Sequence, residues 1–170
     1  MQRVRDGDLA ELTELFERYH VKLYNFFLKL TFDKAASEDL TQNLFYRVIR
    51  YRHTFDKGNG NFKSWLYRIA RNIHADYCQE QAKRRDRFRL PETGDYHSPA
   101  EGEIYSEAHL EKLNKALARL APEQRELLVL SRYQGMKYDE ICQLKGLTMA
   151  ATKVQIHRAM KQLRNLYYEV

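Results

Sequence analysis

Between Tyr138 and Leu166 the chain reads YDEICQLKGLTMAATKVQIHRAMKQLRNL, and the spacing of its residue types suits contact with nucleic acid. Lys153, Val154, His157, Arg158, Lys161 and Arg164 share one helical face, and no Asp or Glu occurs between Met149 and Leu166. Cations in such a row neutralise phosphates or donate to guanine edges, and a valine can meet a thymine methyl. The other face carries Thr152, Ile156, Ala159, Met160, Leu163 and Tyr167 at three- and four-residue steps, a stripe to be buried. Ahead of it, Tyr138–Leu144 reads as a short helix burying Ile141 and Leu144. Gly146 supplies the turn through positive φ, Leu147 plugs the angle, and Thr148 N-caps the second helix. The whole is a helix-turn-helix suited to a DNA major groove. A solvated basic helix packed on a core is the plain alternative.

Two further rows have chemistry to offer. Lys63, Tyr67, Arg68, Arg71, Asn72 and His74 lie off the stripe formed by Trp65, Ile69 and Ile73. Arg68 and Arg71 suit phosphates, and Asn72 suits a base edge. Together with the loop Phe55–Asn61, they form the kind of surface that holds unstacked bases. Trp65 itself sits mid-stripe and is expected in the core. Asp39, Gln42 and Tyr46, at i, i+3 and i+7, share a polar face turned away from Leu40 and Leu44. Such a row could pair with a partner helix or simply face water.

The elements that must position these residues are all helical. A first helix is expected from about Asp8 to Leu30, with Leu9, Leu12, Leu15, Phe16, Tyr19, Leu23, Phe26, Phe27 and Leu30 on one face. A second starts near Ala36 and turns Leu40, Leu44, Phe45, Val48 and Ile49 inward. The glycines and asparagines of FDKGNGN (Phe55–Asn61) break the pattern into a loop. A third helix, Phe62 to about Arg84, buries Phe62, Trp65, Leu66, Ile69, Ala70, Ile73 and Tyr77, and closes a three-helix core. After KRRDRFR come Pro91, Gly94, Pro99 and Gly102, the composition of a linker. Helical pattern resumes with Leu110, Leu113, Leu117 and Leu120. Pro122 then opens a helix over Glu123–Gln134 that stops at Gly135. The expected organisation is therefore all-α, with domains at 1–88 and 109–170 joined by a linker at 89–108.

Charge follows the same division. Residues 1–90 hold 18 Lys/Arg against 12 Asp/Glu, and residues 112–170 hold 11 against 5. Residues 91–111 hold no Lys or Arg and six acids, Glu92, Asp95, Glu101, Glu103, Glu107 and Glu111. Two basic modules flanking an acidic connector suit two contacts with nucleic acid, joined by a segment that avoids duplex. The 44% hydrophobic and 31% charged residues can build a core in a water-soluble chain. No apolar run suggests a membrane span or signal peptide, so a cytoplasmic protein without membrane insertion is expected. Cys78 and Cys142 lack CxxC or metal spacing and are expected as buried small hydrophobes. His20, His53, His74, His97, His109 and His157 are scattered, and no phosphate-binding glycine loop, HExxH or G-x-S-x-G occurs. Neither an enzyme nor a cofactor is expected.

Three stretches carry a family resemblance. DLTQNLF, with Asp39, Gln42 and Phe45, resembles the D-x-x-Q-[ED]-x-F signature of bacterial sigma factors. FKSWLYRIARNIHADY (Phe62–Tyr77) resembles the WLxRIARNxxxD stretch of that family, and LAPEQRELLVLSRYQGMKYDEICQLKGL the start of its C-terminal domain. The chain most resembles the extracytoplasmic-function (ECF) group of the sigma-70 superfamily, over about residues 5–90 and 107–167. Asn43 stands where the family usually has an acid, Ala151-Thr152-Lys153 replaces its T-V-[KR], and Gln155 a common Arg.

The resemblance implies a transcription initiation factor that binds core RNA polymerase, directs it to promoters and helps open them. It places polymerase contact, through the clamp helices and the flap region, with Asp39, Gln42, Asn43 and Tyr46 as the docking residues. It assigns the −10 element to Phe55, Asn61, Lys63, Tyr67, Arg68, Arg71 and Asn72, and the −35 element to Thr148, Met149, Lys153, Val154, His157 and Arg158. The acidic connector would thread the polymerase near nascent RNA, or serve as a tether. Proteins of the group are often held inactive by an anti-sigma factor, one more class of partner to expect. The rival reading is a stand-alone helix-turn-helix regulator, which has no use for DLTQNLF or WLYRIARN.

Overall fold

The structure is a computed structural model, and it describes residues 10–56, 61–88 and 107–169. All regular elements among them are helical: α1 (Ala10–Thr31), α2 (Lys34–Arg50), a short 3-10 turn (Arg52–Thr54), α3 (Phe62–Phe88), α4 (Glu107–Ala118), α5 (Pro122–Leu128), α6 (Tyr138–Lys145) and α7 (Met149–Glu169). Asp8 and Leu9, residues 57–60 of the loop, and residues 89–106 of the connector lie outside the described residues. The connector's expected end at 108 is shortened by α4, which takes in Glu107 and Glu111. Contacts divide the chain into two units, Met1–Phe27 with Ala35–Gly94, and Leu28–Lys34 with Asp95–Val170.

The first unit closes on α1, α2 and α3. Leu23, Phe26 and Phe27 of α1, Leu40, Leu44 and Val48 of α2, and Leu66, Tyr67, Ala70 and Ile73 of α3 are all buried. Phe26 meets the edge of Tyr67 at 5.3 Å between ring centroids, the tilted contact that aromatic quadrupoles favour. At the start of α3, Phe55, Phe62 and Trp65 form an aromatic cluster, with Phe55 edge-on to both at 5.8 and 5.6 Å. Asn61 caps the helix, its Oδ1 accepting the Ser64 N–H at 2.8 Å.

Some side chains depart from the sequence reading. Phe16 is 45% exposed, ahead of the buried run of α1 that begins at Leu23, and Ile49 is 37% exposed, about 100° around α2 from buried Val48. Trp65 is half-buried rather than interior. Cys78 is exposed and Cys142 half-buried, so neither is a buried hydrophobe.

The second unit is built around α7, which packs on α4, α5 and α6. Pro122 is at the first turn of α5, where its missing N–H costs nothing. Continuing α5, Val129–Tyr133 widens into a π-turn, so the expected helix Glu123–Gln134 is present but not uniformly α. Arg125 donates to the carbonyls of Leu117, Ala118 and Leu120, closing the end of α4 that lacks intrahelical donors.

Candidate nucleic-acid interface

In the helix-turn-helix, each local signal of the sequence becomes a contact. Glu140 accepts the Lys137 N–H at 2.8 Å and starts α6, and Gly146 ends it at φ 65°, ψ 33°. The Leu147 N–H then returns to the Cys142 carbonyl, and Thr148 Oγ1 accepts the Ala151 N–H at 3.2 Å to open α7. One contact ties α6 to α7, and a second ties α6 to α5. Cys142 Sγ lies 3.1 Å from the Oγ1 of fully buried Thr152, and Lys145 pairs with Glu126 of α5 where both side chains are largely shielded.

A Cβ at Gly146 would meet nothing within 4 Å, so substitution there is limited by backbone conformation alone. Gly146→Val is expected to destabilise the second unit by about 1–3 kcal/mol, and Gly146→Asn by clearly less, because Asn tolerates the left-handed region. Urea unfolding of the full chain checks this; equal loss for both variants would contradict it.

With Thr152, Ile156 and Ala159 buried against the unit, α7 turns Thr148, Met149, Lys153, Val154, His157 and Arg158 to solvent. Met149 and Val154 are 42% and 47% exposed. The single acid of α7, Glu169, sits at its far end and pairs with Arg119 at 3.1 Å. The exposed face is therefore cationic with apolar points, which suits a groove lined by phosphates, base edges and thymine methyls. Met160, expected in the stripe, is 37% exposed, one residue around from the Ile156–Ala159 line. It lines an open cavity of about 650 Å³ with Leu113, Leu163, Lys161 and Arg164.

The first unit presents two surfaces. Asp39, Gln42, Asn43 and Tyr46 of α2 are all exposed, Tyr46 to 61%, while Leu40, Leu44 and Phe45 between them are buried. Asn43 Oδ1 accepts from Arg47 Nε at 3.2 Å, and Arg47 Nη2 reaches Asp76 of α3 at 3.1 Å. On α3, Arg68 and Asn72 are exposed, and Lys63, Arg71 and His74 are half-buried.

These two units match two known families of sequence. Residues 15–84 match Sigma-70 region 2, and residues 110–163 match Sigma-70 region 4. The RNA polymerase sigma factor CarQ of Myxococcus xanthus is 31% identical over 170 residues, covering all of this chain and 97% of that protein. The chain is an ECF RNA polymerase sigma factor.

The ECF sigma factor SigE of Mycolicibacterium smegmatis is 34% identical over 94% of this chain, which spans 63% of that longer protein. ECF SigM of Bacillus subtilis is 28% identical, with 92% and 94% covered. Two solved structures share the fold. One is the sigma factor RpoE in complex with the anti-sigma factor NepR from Bartonella quintana, with TM-score 0.78, 23% identity, and 92% and 96% of the chains covered. The other is CnrH in complex with the cytosolic domain of CnrY, with TM-score 0.71, 23% identity, and 97% and 92% covered. Sigma factors bind core RNA polymerase and promoter DNA to initiate transcription and are not themselves enzymes, so the stand-alone regulator gives way to this reading.

Within the sigma factor two candidate residues change role. Tyr67 is fully buried against Phe26, and burial raises its phenol pKa far above the ordinary value. It is a core residue and cannot meet DNA from that position. Phe55, 5% exposed, anchors the aromatic cluster rather than offering a ring to a base. Asn61 is exposed but already holds the start of α3. Arg47, absent from the sequence reading, and Asp76, met there only as the last letter of WLxRIARNxxxD, join the exposed polar row of α2 to α3. Their pairing leaves no sequence signal, because the partners are 29 residues apart on different helices. Among the described residues no group of His, Cys, Asp and Glu is placed to hold a metal ion, and no helix is long and apolar enough to cross a membrane.

Proposed function

We propose that this sigma factor acts in the cytoplasm and docks on core RNA polymerase through Asp39, Gln42, Asn43 and Tyr46. Their partner is the clamp helices, while the region 4 unit meets the flap region. Lys63, Arg68, Arg71 and Asn72, with Asn61 at the helix start, take the melted −10 strand. Thr148, Met149, Lys153, Val154, His157 and Arg158 take the −35 element. The observation that carries the DNA part is the cationic outer face of α7, whose only acid is paired at the far end. The docking part is supported by four adjacent polar side chains kept at the surface over a buried apolar row. An anti-sigma partner is a further proposal, in keeping with the complexes in which RpoE of Bartonella quintana and CnrH were solved.

Phosphate neutralisation dominates such an interface, so the free chain is expected to bind duplex weakly, with affinity falling steeply as salt rises. Arg158→Ala reduces the slope of log K against log salt by about 1 if that side chain meets a phosphate. Tight binding by the free chain that ignores salt would contradict the assignment.

A further inference from the structure

Along the outer face of α7, Ala150, Val154, His157 and Lys161 follow one another at four-, three- and four-residue steps, and all four are exposed. At about 100° per residue this line stands opposite buried Thr152, Ile156 and Ala159. It is the part of the helix that reaches deepest when α7 lies in a groove.

The line is sorted along its length. Its second half carries His157 and Lys161, while its first half carries only the methyl of Ala150 and the isopropyl group of Val154, which is 47% exposed. Over residues 149–155 the exposed side chains are Met149, Ala150, Lys153 and Val154. Of these four, Lys153 alone can form a hydrogen bond, and it stands about 100° to the side of Val154. Arg158, about one turn on, flanks Val154 from the other side. Ahead of them Thr148 Oγ1 already accepts the Ala151 N–H at 3.2 Å. The first two turns therefore have an apolar apex with cations at its edges.

The N-terminal turns of a recognition helix are the ones that reach base edges. An apolar apex pressed onto amino, carbonyl or N7 groups strips them of water and gives no hydrogen bond back, which is unfavourable. The one apolar group that the major groove offers is the C5-methyl of thymine. Ala150 and Val154 are about 6 Å apart along the helix axis, close to two base-pair steps of about 3.4 Å each.

We propose that Ala150 and Val154 read the −35 element through pyrimidine C5-methyl groups, carried by two thymines about two base pairs apart. 5-Methylcytosine then serves in place of thymine, and uracil and cytosine do not. This rests on the assignment of α7 to the −35 element and names the chemistry by which two of its bases are chosen. Lys153 and Arg158 at the flanks supply affinity through phosphates or guanine edges and take no part in that choice.

The test uses holoenzyme assembled from the full chain and core RNA polymerase, on a promoter selected from a random library. Each thymine of its −35 element is replaced in turn by deoxyuridine, deoxycytidine or 5-methyldeoxycytidine, each opposite its complement. At two positions uracil is expected to weaken wild-type binding by about three- to five-fold, the worth of one buried methyl. Cytosine weakens it at least as much, and 5-methylcytosine restores it. Val154→Ser brings the thymine-to-uracil ratio at one of the two positions to about one, while the salt slope stays that of wild type because no phosphate contact is lost. Val154→Ile keeps the preference. If uracil binds as thymine does throughout, while randomising the −35 element still weakens binding, the bases are read by hydrogen bonds and the proposal fails alone. A thymine preference that Val154→Ser leaves intact at both positions overturns it as well. If randomising the −35 element costs nothing, the assignment of α7 falls with it.

Discussion

Asp39→Arg combined with Gln42→Ala is expected to separate this sigma factor from core RNA polymerase. On size-exclusion chromatography the wild type co-elutes with the polymerase core, and the double variant runs alone. The reasoning is electrostatic. Reversing a charge within a matched interface places like against like and costs several kcal/mol, which at about 1.4 kcal/mol per decade weakens binding by a hundred-fold or more. Neither side chain contributes to the core, since both are exposed while Leu40 and Leu44 carry the packing. Folding stability should therefore move by about 0.5 kcal/mol or less. Unchanged co-elution would remove α2 from the docking surface. Loss of helical signal would mean that Asp39 supports the fold instead.

Asn43 makes a second comparison available on the same face. It occupies the place of an acid that the family usually carries, and here it accepts from Arg47, which also holds Asp76. A carboxylate at position 43 would compete with Asp76 for that guanidinium. Asn43→Glu is thus expected to loosen the α2–α3 pairing, with a stability change of about 1 kcal/mol or less for so exposed a pair. Its effect on polymerase affinity shows whether the missing acid matters to docking.

The second large effect concerns two neighbours on α3. Tyr67→Ala should destabilise the first unit by about 3–5 kcal/mol, because it empties a fully buried site beside Phe26. Arg68→Ala should leave stability nearly unchanged and instead lower promoter opening. Denaturant unfolding of the full chain and permanganate reactivity of promoter thymines in the holoenzyme separate the two. If Tyr67→Ala proved stable and selectively defective in opening, the tyrosine would belong to the DNA surface after all.

That pair also shows what was legible in the sequence. The helix-turn-helix could be read because its signals are local: Gly146 for the left-handed turn, Thr148 for the cap, and a stripe that repeats within each turn. The exposed polar row of α2 was legible for the same reason, being four residues of one helix. Tyr67 was misplaced because α3 packs against both α1 and α2 and buries a broad arc centred near Leu66 and Ala70. The pattern of Trp65, Ile69 and Ile73 had put that centre about one residue away. A tyrosine at the edge of an apolar face suits either side, and only the neighbouring Phe26 decides. Phe55 was misread similarly, since a loop aromatic can face a base or an anchor, and Phe62 and Trp65 supply the anchor. Contacts such as Arg47–Asp76 and Lys145–Glu126 depend on which helices become neighbours, which no local pattern states.

The most direct measurement is run-off transcription by core RNA polymerase on a library of fragments, with and without the chain. The account predicts new transcripts that start at a few shared sequence elements only when the chain is present, and that disappear with Asp39→Arg plus Gln42→Ala. Transcription that is unchanged by the chain, although the chain is folded and the polymerase active with another sigma factor, would contradict it.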